Sequence, residues 1–199
     1  MAAEKQLWSS MKVPASNVSV YDALYKRRSA WKFKDTPVSK ATMEKILGPA
    51  IWAPNHRNNE PWRFVAIAKD SPLRAKIADA VVKALTEEWQ DAKRAAPYGA
   101  KVTDPAFIVF CYYVGAPDAF VDKENYAALM LAIQNMALAG YAEGLSVTID
   151  TGRTTRVPAV DTIVGAGEGW KMTAMLAVGV PDEESKAART PVAEFVKWL

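Results

Sequence analysis

Ala53-Pro54-Asn55-His56-Arg57-Asn58-Asn59-Glu60-Pro61-Trp62-Arg63-Phe64 is the stretch that decides how this chain of 199 residues reads. It holds the single histidine of the sequence, a run of amide and charged side chains, and two prolines that fix the backbone at either side. An apolar segment, Trp62–Ala68, follows at once and reads as a strand, with Trp62 anchoring the loop by burial. Polar groups this dense at the mouth of a sheet point to a ligand, since a loop needs few of them simply to turn. Upstream, Arg27-Arg28-Ser29 offers two guanidinium forks and a hydroxyl in three consecutive residues. Arginine suits phosphate through paired charge-assisted bonds. The two clusters together describe a ligand with a phosphate at one end and hydrogen-bonding heteroatoms at the other.

The rest of the chain arranges itself around these clusters. Residues 1–18 read as an N-terminal extension and residues 19–199 as one domain, because the length fits one well-buried core. Val20–Lys26 carries apolar residues at helical spacing, which puts the Arg-Arg-Ser cluster at its C-terminal end. Ser39 N-caps a helix over Lys40–Trp52, bent at Gly48-Pro49. Ser71-Pro72 opens a long amphipathic helix to about Ala95. Phe107–Val114 is a β-branched and aromatic run of the kind buried on both faces of a sheet. Asp118–Glu143 is the longest helix and is apolar nearly all round, so it needs cover on every side, which a second subunit can supply. Leu145–Ile149 is a short strand, Pro158 starts a short helix, Lys171–Gly179 is the last strong strand, and Pro181–Leu199 is a polar tail.

Composition excludes several function classes. Half of the residues are apolar and 24% are charged, the balance of a soluble globular chain. No apolar run is long enough to span a membrane, and Met1–Lys12 lacks the apolar core of a signal peptide. The single cysteine, Cys111, cannot form an intrachain disulfide, so the expected compartment is the cytoplasm. A net charge of +3 without a basic stripe gives no case for nucleic acid. One His and one Cys cannot build a His/Cys-rich metal centre. No G-x-S-x-G elbow supplies a nucleophile for a triad. If the chain is an enzyme, a cofactor carries the hard chemistry.

Plainer readings stand beside these. Arg27 and Arg28 at a helix end also suit the helix dipole without any ligand. Gly165-Ala166-Gly167-Glu168-Gly169 has the wrong spacing for a dinucleotide loop and precedes a strand, so it reads as a turn. Cys111 is inert core. Arg153 and Arg156 flank a loop, and the sequence leaves their role open.

In order along the chain, Arg27-Arg28-Ser29, Phe33, Pro37-Val38, Ala50-Ile51-Trp52-Ala53-Pro54 and Asn58-Asn59-Glu60-Pro61-Trp62-Arg63-Phe64 resemble the nitroreductase family of flavin enzymes. The family pattern is close to Arg-Arg-Ser…Ala-Pro-Ser-x-x-Asn-x-Gln-Pro-Trp-x-Phe, and the His56 loop is similar to that of the short, minimal nitroreductases. Ala142-Glu143-Gly144, Gly167-Glu168-Gly169, Val178-Gly179-Val180-Pro181 and Arg189-Thr190-Pro191 agree in outline, so the likeness covers roughly residues 19–199.

The resemblance implies an α+β fold: a three-layer α/β/α sandwich with a mixed, mainly antiparallel central sheet, in an intertwined homodimer that binds FMN at its interface. Arg27, Arg28 and Ser29 would hold the FMN phosphate and nearby oxygens, joined by Arg189. His56, Asn58 and Glu60 would come from the other subunit to the ribityl chain and ring edge. Ile149, Asp150 and Thr151 would present backbone to the redox-active N5. Two departures stand out. Glu60 replaces the usual Gln, and a carboxylate cannot donate a hydrogen bond unless protonated. Trp31 occupies a position where many relatives carry a Lys or Arg, for which Lys32 and Arg63 are candidate substitutes; both departures point to a lower flavin potential.

The implied activity is an NAD(P)H oxidoreductase that reduces nitroaromatic, quinone or similar acceptors by ping-pong hydride transfer, without a catalytic side chain. Alternatives on the same fold are ene reduction, dehalogenation, dehydrogenation, flavin fragmentation or flavin storage; a cofactor-free dimer is the remaining one. Lid segments such as Glu88–Thr103 would separate these branches.

Overall fold

The computed structural model describes residues 12–185 and 187–199; most of the expected N-terminal extension, residues 1–11, lies outside the described residues. The long apolar run is strand β2, Phe107–Val114, and it lies inside the sheet. It pairs with β1, Trp62–Ala68, on one side and with β4, Trp170–Gly179, on the other. Strand β3, Ser146–Asp150, completes the order β1-β2-β4-β3. All pairings within this chain are antiparallel, so the mixed character expected of the sheet is not visible in one chain's described strands. Between Cys111 and Tyr112 the register against β4 slips by one residue.

Side chains of β2 alternate between two cores, as the pleat requires. Val109, Cys111 and Tyr113 face a layer built from α2, Lys40–Leu47, and α6, Ala119–Ala142. Ile108, Phe110 and Tyr112 face α3, Leu73–Trp89, α5, Pro97–Thr103, and α7, Pro158–Val164. This is the three-layer sandwich expected from the resemblance. Cys111 is fully buried, and burial pushes its thiol pKa well up, in keeping with an inert core position. The first helix is α1, Val20–Lys26, capped by the Ser19 hydroxyl on the Asp22 N–H.

Helix α2 gives way at Gly48 to a 3-10 turn, Gly48–Trp52, where the bend at Gly48-Pro49 was expected. The long helix expected to reach Ala95 stops earlier. Gln90 turns left-handed at φ 52°, and Asp91 then caps a four-residue helix, α4 (Ala92–Ala95), by accepting from the Arg94 N–H. Pro97, which has no N–H to lose, starts α5. Strand β3 begins and ends one residue later than expected, at Ser146 and Asp150. Gly165 and Gly169 both take positive φ, so that segment is a turn.

Helix α6 is central but not fully covered. Its own Ala128, Leu129, Ala132, Ile133, Met136 and Ala137 are buried, whereas Leu131 remains 46% exposed. The tail was expected to be polar, yet Phe195, Trp198 and Leu199 project from it almost fully exposed. No helix among the described residues is long and apolar enough to cross a membrane.

Candidate functional site

The two polar clusters lie at opposite ends of α6. Arg28 and Ser29 line a cavity of about 590 Å³ with Tyr141, Gly144 and Ser146 at the C-terminal end of that helix. The His56 loop packs against Glu124 and Asn125 near its N-terminal end. Sixteen residues from Asn125 to Tyr141 correspond to roughly 24 Å at 1.5 Å per residue. One chain therefore does not bring the clusters together.

At the first end, the Arg-Arg-Ser segment leaves α1 and is pinned by β3. The Ala30 N–H donates to Ser146 Oγ at 3.0 Å and to Thr148 Oγ1 at 2.9 Å, and the Thr148 hydroxyl donates back to Ala30 O at 2.6 Å. Glu183 accepts from the Trp31 and Lys32 N–H groups at 2.6 and 3.2 Å, tying the start of the tail to the same segment. These amides hold the Glu183 carboxyl below its usual pKa.

The three polar residues fare differently. Arg28 Nη1 donates to Tyr25 O and Arg27 O, so its guanidinium closes the end of α1. Arg27 Nη1 is buried and has no hydrogen-bond partner among the described residues. Burial, then the charges of Arg28 and Arg189, lower the Arg27 pKa. A buried donor without an acceptor is costly, and cations facing it add to that cost. An anion placed there relieves both. Ser29 is exposed beside it, and Arg189 bonds its own neighbour's carbonyl, Ala188 O, at 2.9 Å.

The second end is held in shape by its own amides. Asn55 Oδ1 accepts from the Glu60 N–H at 2.9 Å, and Asn59 Nδ2 donates to Asn125 Oδ1 at 2.9 Å. The buried Asn125 then donates to Val114 O at the end of β2. His56 Nδ1 lies 2.5 Å from Glu124 Oε1. Arg57, Asn58 and Glu60 all have positive φ, at 53°, 54° and 48°. Three non-glycine residues in the left-handed region within four positions mark stored backbone strain, which persists only where surroundings enforce it. Arg63, one candidate for the missing cation, spends its guanidinium on Glu60 O and Trp62 O.

The end of β3, where Asp150 was expected at the site, brings in Lys101, which the sequence did not single out. Asp150 is 7% exposed and accepts from the Gly152 N–H at 2.7 Å, while Lys101 Nζ from α5 stands 3.5 Å from its other oxygen. That ammonium lies 4.3 Å from the Trp31 ring centroid and 4.7 Å from that of Tyr98. Ile149 is half-buried beside it and Thr151 is exposed. Tyr98 meets Trp89 edge-on, and Arg94 and Arg153 flank the Trp89 ring. Arg153, left open by the sequence, thereby joins the segment 88–103 to the loop after β3, also pairing with Glu88. Lys101, Asn125, Ser146 and Thr148 carry no local motif; only the alternation of Ser146 and Thr148 within an otherwise apolar strand signalled that those hydroxyls had partners.

The model of the nitroreductase family matches residues 24–180, and the chain belongs to that family. A relative in Bacillus subtilis, described as a putative NAD(P)H nitroreductase, is 27% identical over 87% of this chain and 90% of its own length. The 5,6-dimethylbenzimidazole synthase of Rhodospirillum rubrum is 31% identical over 89% of this chain and 88% of its own. Among solved structures, a putative nitroreductase of Desulfovibrio desulfuricans in complex with FMN superposes with a TM-score of 0.72 at 26% identity, covering 91% of this chain and 96% of that one.

Proposed function

We propose that the protein is an FMN-dependent NAD(P)H oxidoreductase acting as a homodimer on nitroaromatic, quinone or similar electron-poor acceptors. The observation that carries the reading is the orphaned, buried Arg27 Nη1, faced by the charges of Arg28 and Arg189. A phosphate fits that cradle, with Ser29 and Arg189 adding a hydroxyl and a second guanidinium. The FMN complex of the Desulfovibrio relative supports the choice of anion.

The separation of the two clusters along α6 supports the dimer. Two copies of α6 packed antiparallel through the exposed Leu131 face bring the His56 loop of one chain to the Arg27 end of the other. His56, Asn58 and Glu60 then address the ribityl chain and ring edge, and the backbone of Ile149, Asp150 and Thr151 borders the ring. FMN held there would supply two-electron redox chemistry between NAD(P)H and the acceptor. The chain's own work is to bind the phosphate, orient both reactants over one place in turn, and exclude competing reactions. The strained loop is preorganised for that task, because its shape is set before a ligand arrives.

A second reading keeps the flavin and changes the reaction, favoured by the 31% identical synthase relative. One experiment separates the two. Purified protein is titrated with FMN, then mixed anaerobically with NADH or NADPH, and a nitroaromatic or quinone is added. Binding, bleaching by either nucleotide and recovery of colour on adding acceptor are expected. Failure to bind FMN overturns the cofactor reading. Binding without bleaching favours the other reaction or a storage role.

A further inference from the structure

Lys101 is unusual in how little of its bonding capacity is used. Its ammonium has three N–H donors, yet it donates no hydrogen bond among the described residues. Its 3.5 Å approach to Asp150 Oδ2 exceeds the roughly 2.7–2.9 Å of a charge-assisted hydrogen bond. Asp150 Oδ2 is itself buried and accepts none. The faces of Trp31 and Tyr98 attract the cation through their quadrupoles but leave its donors uncommitted. The side chain keeps 30% of its surface, and the Trp31 ring beside it is 38% exposed. A part-exposed Trp31 ring with an unspent cation over one face, backed by the Asp150 carboxylate, offers a ligand both an aromatic surface and hydrogen-bond donors.

We propose that Lys101 is a specificity-determining residue that selects aromatic ligands bearing an anionic oxygen, with the ligand ring lying at the Trp31 platform and its carboxylate or phenolate accepting from the ammonium. This deepens the acceptor side of the oxidoreductase reading and rests on it for placing the ligand beside Ile149–Thr151. It also gives the α4–α5 segment a definite part. Lys101 is carried by α5 but meets Trp31, which follows Arg27-Arg28-Ser29, and Asp150, which ends β3.

The test uses an isosteric pair, 4-fluorobenzoate and 4-fluorobenzamide, titrated by 19F NMR against the protein as purified and again after FMN loading. The benzoate should bind about tenfold or more tightly than the benzamide, the range of a hydrogen bond to a charged group. That preference should shrink with added salt. Lys101→Met should bring the ratio close to one while benzamide binding persists, and Lys101→Arg should retain the preference. An equal ratio in wild type and Lys101→Met overturns the assignment. So does parallel loss of both probes, which marks a structural role. Because FMN loading is measured independently, a protein that prefers benzoate but does not take up FMN would sustain the Lys101 site while refuting the flavin reading.

Discussion

The two ends of α6 solve opposite problems. At the C-terminal end the backbone is relaxed and well bonded through Ser146 and Thr148, yet the buried Nη1 of the half-buried Arg27 lacks an acceptor among the described residues. At the N-terminal end the amide side chains of Asn55, Asn59 and Asn125 are satisfied, yet three residues of the loop are held in left-handed geometry. The first end stores its unfavourable energy in an unmet charge, the second in backbone strain. An unmet charge is relieved when the right anion binds, so it governs affinity. Strain held by side-chain bonds is not relieved by binding; it keeps a shape, so it governs orientation.

The largest test of this division joins the two ends. Leu131→Glu puts a charge into the exposed apolar face of α6. It should leave the protein monomeric in sedimentation, against the proposed dimer of the unaltered chain, and lower FMN affinity by about a hundredfold or more, since charge burial without a partner costs several kcal/mol. A monomer that still binds FMN tightly would show that the Arg27 end suffices alone. Next in size is Arg27→Met. Loss of a charged hydrogen bond worth about 1.5–3 kcal/mol should weaken FMN binding tenfold to a hundredfold in a fluorescence titration. The ligand-free protein should be no less stable in urea, because a buried orphan has been removed. Marked destabilisation would instead make Arg27 a structural group.

Thr148→Val should do the reverse of Arg27→Met. It removes the hydroxyl that both accepts from and donates to Ala30, at a cost of about 1–3 kcal/mol in urea unfolding. FMN affinity should fall only several-fold, as the proposed phosphate ligands themselves remain. If affinity falls as far as in Arg27→Met, the backbone at this end is not relaxed but held in tension for the ligand.

Much of this was legible because local chemistry signals it. The continuous run Phe107–Val114 announced a strand with two buried faces, and Ser39 announced a helix start through a cap that forms as expected. The Arg27 and His56 clusters were visible as density of polar residues. What stayed hidden depended on partners remote in sequence. Thr148 meets Ala30 across 118 positions, and no pattern around either residue encodes the meeting. Lys101 sits in a segment whose periodicity continued past Gln90, so the break that redirects α4 and α5 over Trp31 could not be read from spacing. Arg28 looked equivalent to Arg27, and only the fold shows that one guanidinium closes its helix while the other is left without an acceptor.

The smallest expected effect probes the strained end. Arg57 is exposed, sits at φ 53° and ψ 22°, and is one of the three left-handed residues there. Glycine adopts that geometry without a Cβ penalty of about 1–2 kcal/mol, but its unfolded chain gains roughly 0.4–1 kcal/mol of conformational freedom. Arg57→Gly should therefore leave stability unchanged or raise it by up to about 1 kcal/mol, read as a small upward shift in thermal midpoint. FMN affinity should hold, since the phosphate end is untouched, while the rate of flavin reduction by NAD(P)H should fall as the loop loses its enforced shape. A destabilisation greater than about 1 kcal/mol would mean that the arginine side chain itself holds the loop. In that case the amides of Asn55, Asn59 and Asn125 are not what enforces the strain, and the division of labour between the two ends of α6 fails at this end.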